Sequence, residues 1–172
     1  MKEIKEVRIA TLGANRNAAF LAIVENDHLL MAQRKDMSYG FIGGGVEEDE
    51  GLRQAVLREL EEETGFVAPH YMDLSLCVSH EVSEGFNTHL YLCCNADRTP
   101  HRDTYTAPVM QSFATSEYGL KELNGLVSIP LNYENFTYLV VQAHLAGSTR
   151  EQLLWLRDNY PYFSELVRNP DA

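Results

Sequence analysis

The chain is short of basic residues, cysteine and long apolar runs. Only 14 lysines and arginines stand against 25 aspartates and glutamates, a formal charge of −11. That balance leaves no broad basic surface, so an extended nucleic-acid or anionic-membrane partner is not expected. A small phosphorylated ligand stays open, because a bound cation can invert the local field. The three cysteines, Cys77, Cys93 and Cys94, are odd in number and two are adjacent. They form neither a disulfide framework nor a zinc spacing, and buried thiols in a reducing compartment are expected. No apolar run reaches the roughly 18 residues that span a bilayer. The opening Met1-Lys-Glu-Ile-Lys-Glu lacks the apolar core of a signal peptide. The expectation is a cytoplasmic protein. With 45% hydrophobic residues, no repeat and no low-complexity tract, residues 1–172 are expected to form one domain, its C-terminal portion helical from about 134.

What the chain does have is acid, gathered in one place. From Gly44 to Phe66 run two glycines, a series of acids, a helical pattern and more acid. Leu52, Ala55, Val56 and Leu60 recur at helical spacing and define one buried face. Gly65 follows as a left-handed cap, so the helix is expected over about 51–64. On that helix Glu62 and Glu63 lie three and four residues beyond Glu59, on the same side. Three carboxylates there repel one another by a few tenths of a kcal/mol per pair, roughly, and sit at the negative end of the helix dipole. A bare charge run is ordinarily a solvated face. Two neighbours point further. Gly43, Gly44 and Gly45 make a loop whose backbone can approach a ligand closely. Arg58, one residue before Glu59 and four before Glu62, can hold a carboxylate in place. A hard divalent cation suits such an oxygen-rich patch, because Mg²⁺ takes oxygen ligands and shares its shell with water and substrate phosphates.

The segment resembles the signature box of the Nudix (MutT-like) hydrolases: Gly, five residues, Glu, seven residues, then Arg-Glu-apolar-any-Glu-Glu-any-Gly-apolar. Gly44, Glu50, Arg58, Glu59, Leu60, Glu62, Glu63, Gly65 and Phe66 fill every constrained position. The resemblance implies an α/β (α+β) fold, with a mixed β-sheet sandwiched between α-helices and the box forming a loop-helix-loop. It also implies metal-dependent hydrolysis of a pyrophosphate bond in a nucleoside diphosphate linked to another group, such as a nucleoside triphosphate or nucleotide sugar. By that resemblance Glu59, Glu62 and Glu63, with the carbonyl of Gly43 or Gly44, would hold Mg²⁺ or Mn²⁺. Glu62, Glu63 and Arg58 would carry catalysis, with Glu50 structural. The family often adds an acid from a later loop, for which Glu122 and Glu117 are the candidates. Arg34 and Lys35, after the second predicted strand, would meet phosphate, and Tyr39 would stand for an aromatic residue that often precedes the glycines. Ile42 stands where the family commonly has proline. Two other readings compete: a Nudix-like nucleotide-binding or regulatory domain without turnover, and a hydrolase of RNA 5′ ends.

The rest of the chain frames this box. Residues 7–12 read as a first strand and 13–17 as a turn. Residues 18–24 and 29–32 form a hairpin. Residues 71–79 and 86–94 read as strands with a loop at 80–85. In the second of these, Thr88, Leu90 and Leu92 face one way and His89, Tyr91 and Cys93 the other. The polar segment 95–115, with Arg98, His101 and Arg102, is a solvated excursion, a substrate lid or a dimer arm, so a homodimer stays open. Residues 126–130 form a last strand. Helices are expected over 135–144 and 149–159, with Ser148 or Thr149 capping the second and Pro161 ending it.

Overall fold

The structure, a computed structural model, describes residues 16–25, 28–65, 74–93, 123–130, 133–142 and 144–168. Strand β1 (Arg16–Glu25) is the spine. It is tied on one side to β6 (Phe86–Cys93), in parallel, from Arg16 against Phe86 to Ile23 against Cys93. Its other side is shared. The C-terminal end pairs antiparallel with β2 (His28–Arg34), and the N-terminal half with β4 (Ile42–Gly45), Ala18 against Gly45. β5 (Leu74–Ser83) closes one edge against β6, while β3 (Tyr39–Gly40) and β7 (Leu123–Pro130) both pair with β2. The sheet is mixed, as expected.

Period-two alternation sorts the core onto two faces. Ala19, Leu21 and Ile23 of β1 pack with Tyr91 and Cys93 against Ala55, Val56 and Leu60 of helix α1 (Leu52–Thr64). Ala22 and Val24 pack with Leu90 and Leu92 on the other face, under Phe136, Leu139 and Val140 of α2 (Tyr133–Gln142) and Leu153 and Leu156 of α3 (Thr149–Arg168). The sheet is therefore sandwiched between helices in an α+β fold. None of these helices is long and apolar enough to cross a membrane.

Helix α1 has the boundaries its sequence predicts. Gln54 accepts a hydrogen bond from the Gly51 N–H at 2.9 Å, one half of a capping box whose other half glycine cannot supply. At the far end Gly65 sits at φ 76°, and its N–H closes on the carbonyl of Glu61 at 2.7 Å.

Three expectations need correction. Arg16 and Asn17 belong to β1, not to a turn, because their partners on β6 lie about 70 residues away and local composition does not reveal them. β5 runs on to Ser83, and only Glu84 and Gly85 turn the chain, so the predicted loop at 80–85 is mostly strand. Pro161 lies inside α3, which continues to Arg168. Proline's fixed φ is itself helical, so the helix can pass it at the loss of one backbone hydrogen bond. The predicted strand at 7–12 and the segment 95–115 lie outside the described residues.

His89 lies on the α1-facing side of β6, 1% exposed. Burial lowers its proton affinity below the ordinary value of 6.5. An unfolded chain takes up a proton at His89 below about pH 6.5, while the folded chain resists it, so stability is lost as the pH drops through that range. The slope from this one residue is at most about 1.4 kcal/mol per pH unit. Burial shifts His80 the same way, so it adds its own share. Urea midpoints at pH 7.5 and 5.5 should therefore fall less far apart in His89→Gln than in wild type. An unchanged gap would contradict the neutral buried ring.

Candidate active site

The loop leaving β4 and the first residues of β1 enclose a cavity of about 770 Å³. Glycine makes its floor for steric reasons. A Cβ on Gly44 would lie 2.5 Å from Glu59 Oε1, so the Glu59 carboxylate rests directly on the bare Cα. A Cβ on Gly43 would lie 2.2 Å from the carbonyl oxygen of Ala19, and Gly43 has φ +148°. The Gly43 N–H donates to Glu63 Oε2 at 3.3 Å. In this way two acids join β4 to α1, beside the apolar contact that buried Ile42 makes in the core under Ala55, Val56 and Leu60.

Glu59 and Glu63 are 6% and 2% exposed, and both line the cavity. Burial, resisted by Arg58, pushes the Glu59 carboxyl above its ordinary range. Arg58 is the hub of the cluster. Nε and Nη2 grip Glu50 in a two-pronged bond at 2.8 and 3.1 Å. Nη1 bridges Glu59 Oε1 at 3.0 Å and Glu62 Oε2 at 2.9 Å. Nη2 also donates to the carbonyl of Gly45 at 2.8 Å. All five guanidinium donors are used, which a lysine could not match. The bond from Arg58 lowers the proton affinity of the Glu50 carboxylate, and the Glu50 bond in turn raises the Arg58 pKa.

This arrangement revises part of the electrostatic argument from sequence. The crowding of Glu59 and Glu62 is relieved by Arg58, and Glu63 takes a backbone donor. Among the described residues, no three carboxylate, histidine or cysteine groups stand close enough together to form a ready-made metal site. The donor chemistry still fits a hard cation: two buried carboxylates, oxygen-only ligands and bare glycine backbone facing one open cavity.

Other predicted site residues divide. Arg34 lines the cavity. Lys35 does not; it is exposed in the turn after β2. Tyr39 does not either, because β3 directs it to the opposite core, where it packs against the α2–α3 side and its hydroxyl accepts from Gln33 Nε2 at 3.2 Å. Glu62, the most exposed of the three box glutamates, is held at the site through Arg58 and is not part of the cavity wall. Glu117 and Glu122 lie outside the described residues. Sequence reasoning missed Arg16, Asn17 and Phe86, which form another part of the wall. The guanidinium of Arg16 stands 5.3 Å above the Phe86 ring, a cation–π contact. The register of β1 on β6 makes them neighbours, and no local motif announces it.

Arg58→Ala should destabilise the fold by about 1–3 kcal/mol, because Glu59 would stay buried without its cation and Arg58 is itself partly exposed. The urea midpoint measures this; a loss below about 0.5 kcal/mol, the range of an ordinary surface substitution, would contradict it.

Comparison with known proteins bears on the family and the fold. A sequence model of the NUDIX domain matches residues 15–109. CTP pyrophosphohydrolase of Escherichia coli (strain K12) is 42% identical over 72 residues, covering 34% of this chain and 53% of that protein. The chain thus spans about half the length of the curated relative it matches. Among solved structures, a MutT NUDIX hydrolase from Burkholderia pseudomallei aligns with a TM-score of 0.54 at 20% identity, over 81% of this chain and 96% of that one. A mutant of the Bacillus subtilis pyrophosphohydrolase BsRppH aligns with a TM-score of 0.58 at 16% identity, over 93% and 88%. At such identities the structural likeness is one of fold.

Proposed function

The chain belongs to the NUDIX family, and on that premise we propose that it hydrolyses a pyrophosphate bond in a small nucleotide, a nucleoside diphosphate linked to phosphate or to another group. The observation that carries this reading is the pair of buried carboxylates, Glu59 and Glu63, set against glycine backbone at the wall of an open cavity. A protein that needed only a helix here would gain nothing from burying them. The E. coli relative is named for CTP, which makes a nucleoside triphosphate the first candidate substrate.

Glu59, Glu62 and Glu63, with the carbonyl of Gly43 or Gly44, would hold Mg²⁺ or Mn²⁺. Such an ion, when bound, neutralises charge on the bridging and terminal oxygens and activates a water. The protein's own groups do the rest. Arg58 holds Glu50, Glu59 and Glu62 in fixed relation to one another. Arg34, at the cavity wall, would meet a phosphate oxygen. The proton of the attacking water would pass to a cavity-facing carboxylate.

The test is a panel of nucleoside triphosphates, nucleotide sugars and dinucleoside polyphosphates, incubated with the protein and Mg²⁺ and assayed for released phosphate and pyrophosphate. Turnover of at least one member is expected. Tight binding without turnover of any would favour a nucleotide-binding domain instead.

A further inference from the structure

The wall formed by Arg16, Asn17 and Phe86 is not explained by phosphate chemistry alone. Asn17 lines the cavity, and its side chain is not loose. Asn17 Oδ1 lies 2.9 Å from His89 Nε2, and His89 Nδ1 lies 2.7 Å from Ser79 Oγ. The Asn17 backbone is fixed as well, its carbonyl accepting from the Val46 N–H at 2.9 Å. Three strands therefore converge on one amide: Asn17 from β1, His89 from β6 and Ser79 from β5.

The direction of these bonds follows from the groups. A carboxamide oxygen only accepts, so His89 Nε2 must carry the hydrogen. A neutral imidazole has one N–H, so Nδ1 must accept, and the Ser79 hydroxyl donates to it. The hydrogen-bond sense thus runs from Ser79 through His89 to the oxygen of Asn17. With that oxygen drawn toward the interior, the two N–H donors of the amide are what remains for the cavity. A buried relay of this kind does little for a surface asparagine. It does a great deal for an amide that must present donors in one orientation.

We infer that Asn17 is a specificity-determining residue, donating its amide N–H to a carbonyl or ring-nitrogen acceptor on the nucleobase, with His89 and Ser79 as positioning residues. The inference rests on reading the cavity as a nucleotide site. A base, not a phosphate, is the partner for two reasons. An uncharged amide is a poor choice for phosphate where Arg34 and Arg16 are at hand. The same cavity is lined by the Arg16–Phe86 pair, whose flat faces offer a place for a planar ring to lie.

The test is calorimetric binding of the α,β-methylene analogues of CTP, UTP, ATP and GTP, in Mg²⁺, to wild type, Asn17→Ala, Asn17→Asp and Ser79→Ala. Wild type should prefer one base. Asn17→Ala should weaken that ligand by about 10- to 100-fold and bring the four affinities close together, because a site built to donate to a base loses discrimination with the donor. Asn17→Asp keeps the shape, replaces the donors by oxygen and should lose at least as much. Ser79→Ala removes only the far end of the relay and should reduce the preference for one base over the others, a readout that a merely structural role would not move. Equal weakening of all four ligands, an unaltered preference in Asn17→Ala, retained preference in Asn17→Asp, or no preference in wild type would each overturn the inference. Hydrolysis is read separately. An Asn17-dependent preference without turnover would sink the hydrolase reading and leave this one standing, while turnover with an indifferent Asn17 would do the reverse.

Discussion

Glu63→Gln is expected to lower turnover by about 10²- to 10³-fold, the range for losing one charged group that acts in the transition state. The fold should barely notice. Glu63 Oε2 accepts a hydrogen bond from the Gly43 N–H, and the glutamine oxygen can accept the same bond. The residue is buried, and the substitution changes its charge but almost nothing of its volume. The melting temperature should therefore stay within about 4 °C of wild type, the shift that roughly 1 kcal/mol produces in a chain of this size. Glu62→Gln should lose activity on the same scale, since Arg58 Nη1 pins Glu62 beside Glu59. Steady-state kinetics in Mg²⁺ together with a thermal melt check both halves of the statement. Near-normal turnover in both variants would remove these acids from the mechanism. Collapse of the fold in Glu63→Gln would recast it as a structural residue.

Gly43→Ala should have the largest effect on stability of any single methyl added to this loop. The new Cβ would stand 2.2 Å from the carbonyl oxygen of Ala19 and 2.7 Å from the Cα of Phe20. Both are backbone atoms of the central strand, so no side chain can swing aside to make room. The φ of +148° adds strain for any residue with a Cβ. Overpacking and strain together suggest a loss of about 3–5 kcal/mol, enough to lower the melting temperature by roughly 10 °C. Two neighbours serve as controls. Gly45→Ala meets nothing within 4 Å and should stay near wild type. Gly44→Ala meets only the carboxylate of Glu59, at 2.5 Å, so it should cost activity more than stability. If all three alanines melted alike, the steric account of the cavity floor would be wrong.

How much of this could be read in advance depends on the range of the interaction. Helix α1 was legible to its ends because its signals are local: an apolar stripe at helical spacing and Gly65 at the far end. The hairpin of β1 and β2 and the alternation along β6 were legible for the same reason. Arg58 could be placed beside Glu59 and Glu62 by counting along a helix, although its grip on Glu50 and Gly45 could not. Contacts between distant segments stayed hidden. Asn17 and His89 are 72 residues apart and meet only because β1 and β6 run parallel in one register. Tyr39 failed as a cavity residue through a two-residue strand, β3, too short to leave a periodic signal. Arg34 succeeded and Lys35 failed through one step at the end of β2. At such a boundary, composition cannot say which side chain turns inward.

The claim at the centre is that buried acids on α1, set on bare glycine, serve the cleavage of a nucleotide pyrophosphate bond with the help of a divalent cation. The most direct measurement is pyrophosphate or phosphate release from the best nucleotide of the panel, with Mg²⁺ titrated upward from an EDTA-treated sample, for wild type and Glu63→Gln side by side. The expected result is no turnover in EDTA, saturable recovery with Mg²⁺ in wild type, and recovery at least about 100-fold lower in Glu63→Gln. Equal turnover with and without the metal, or equal recovery in the two proteins, would contradict it.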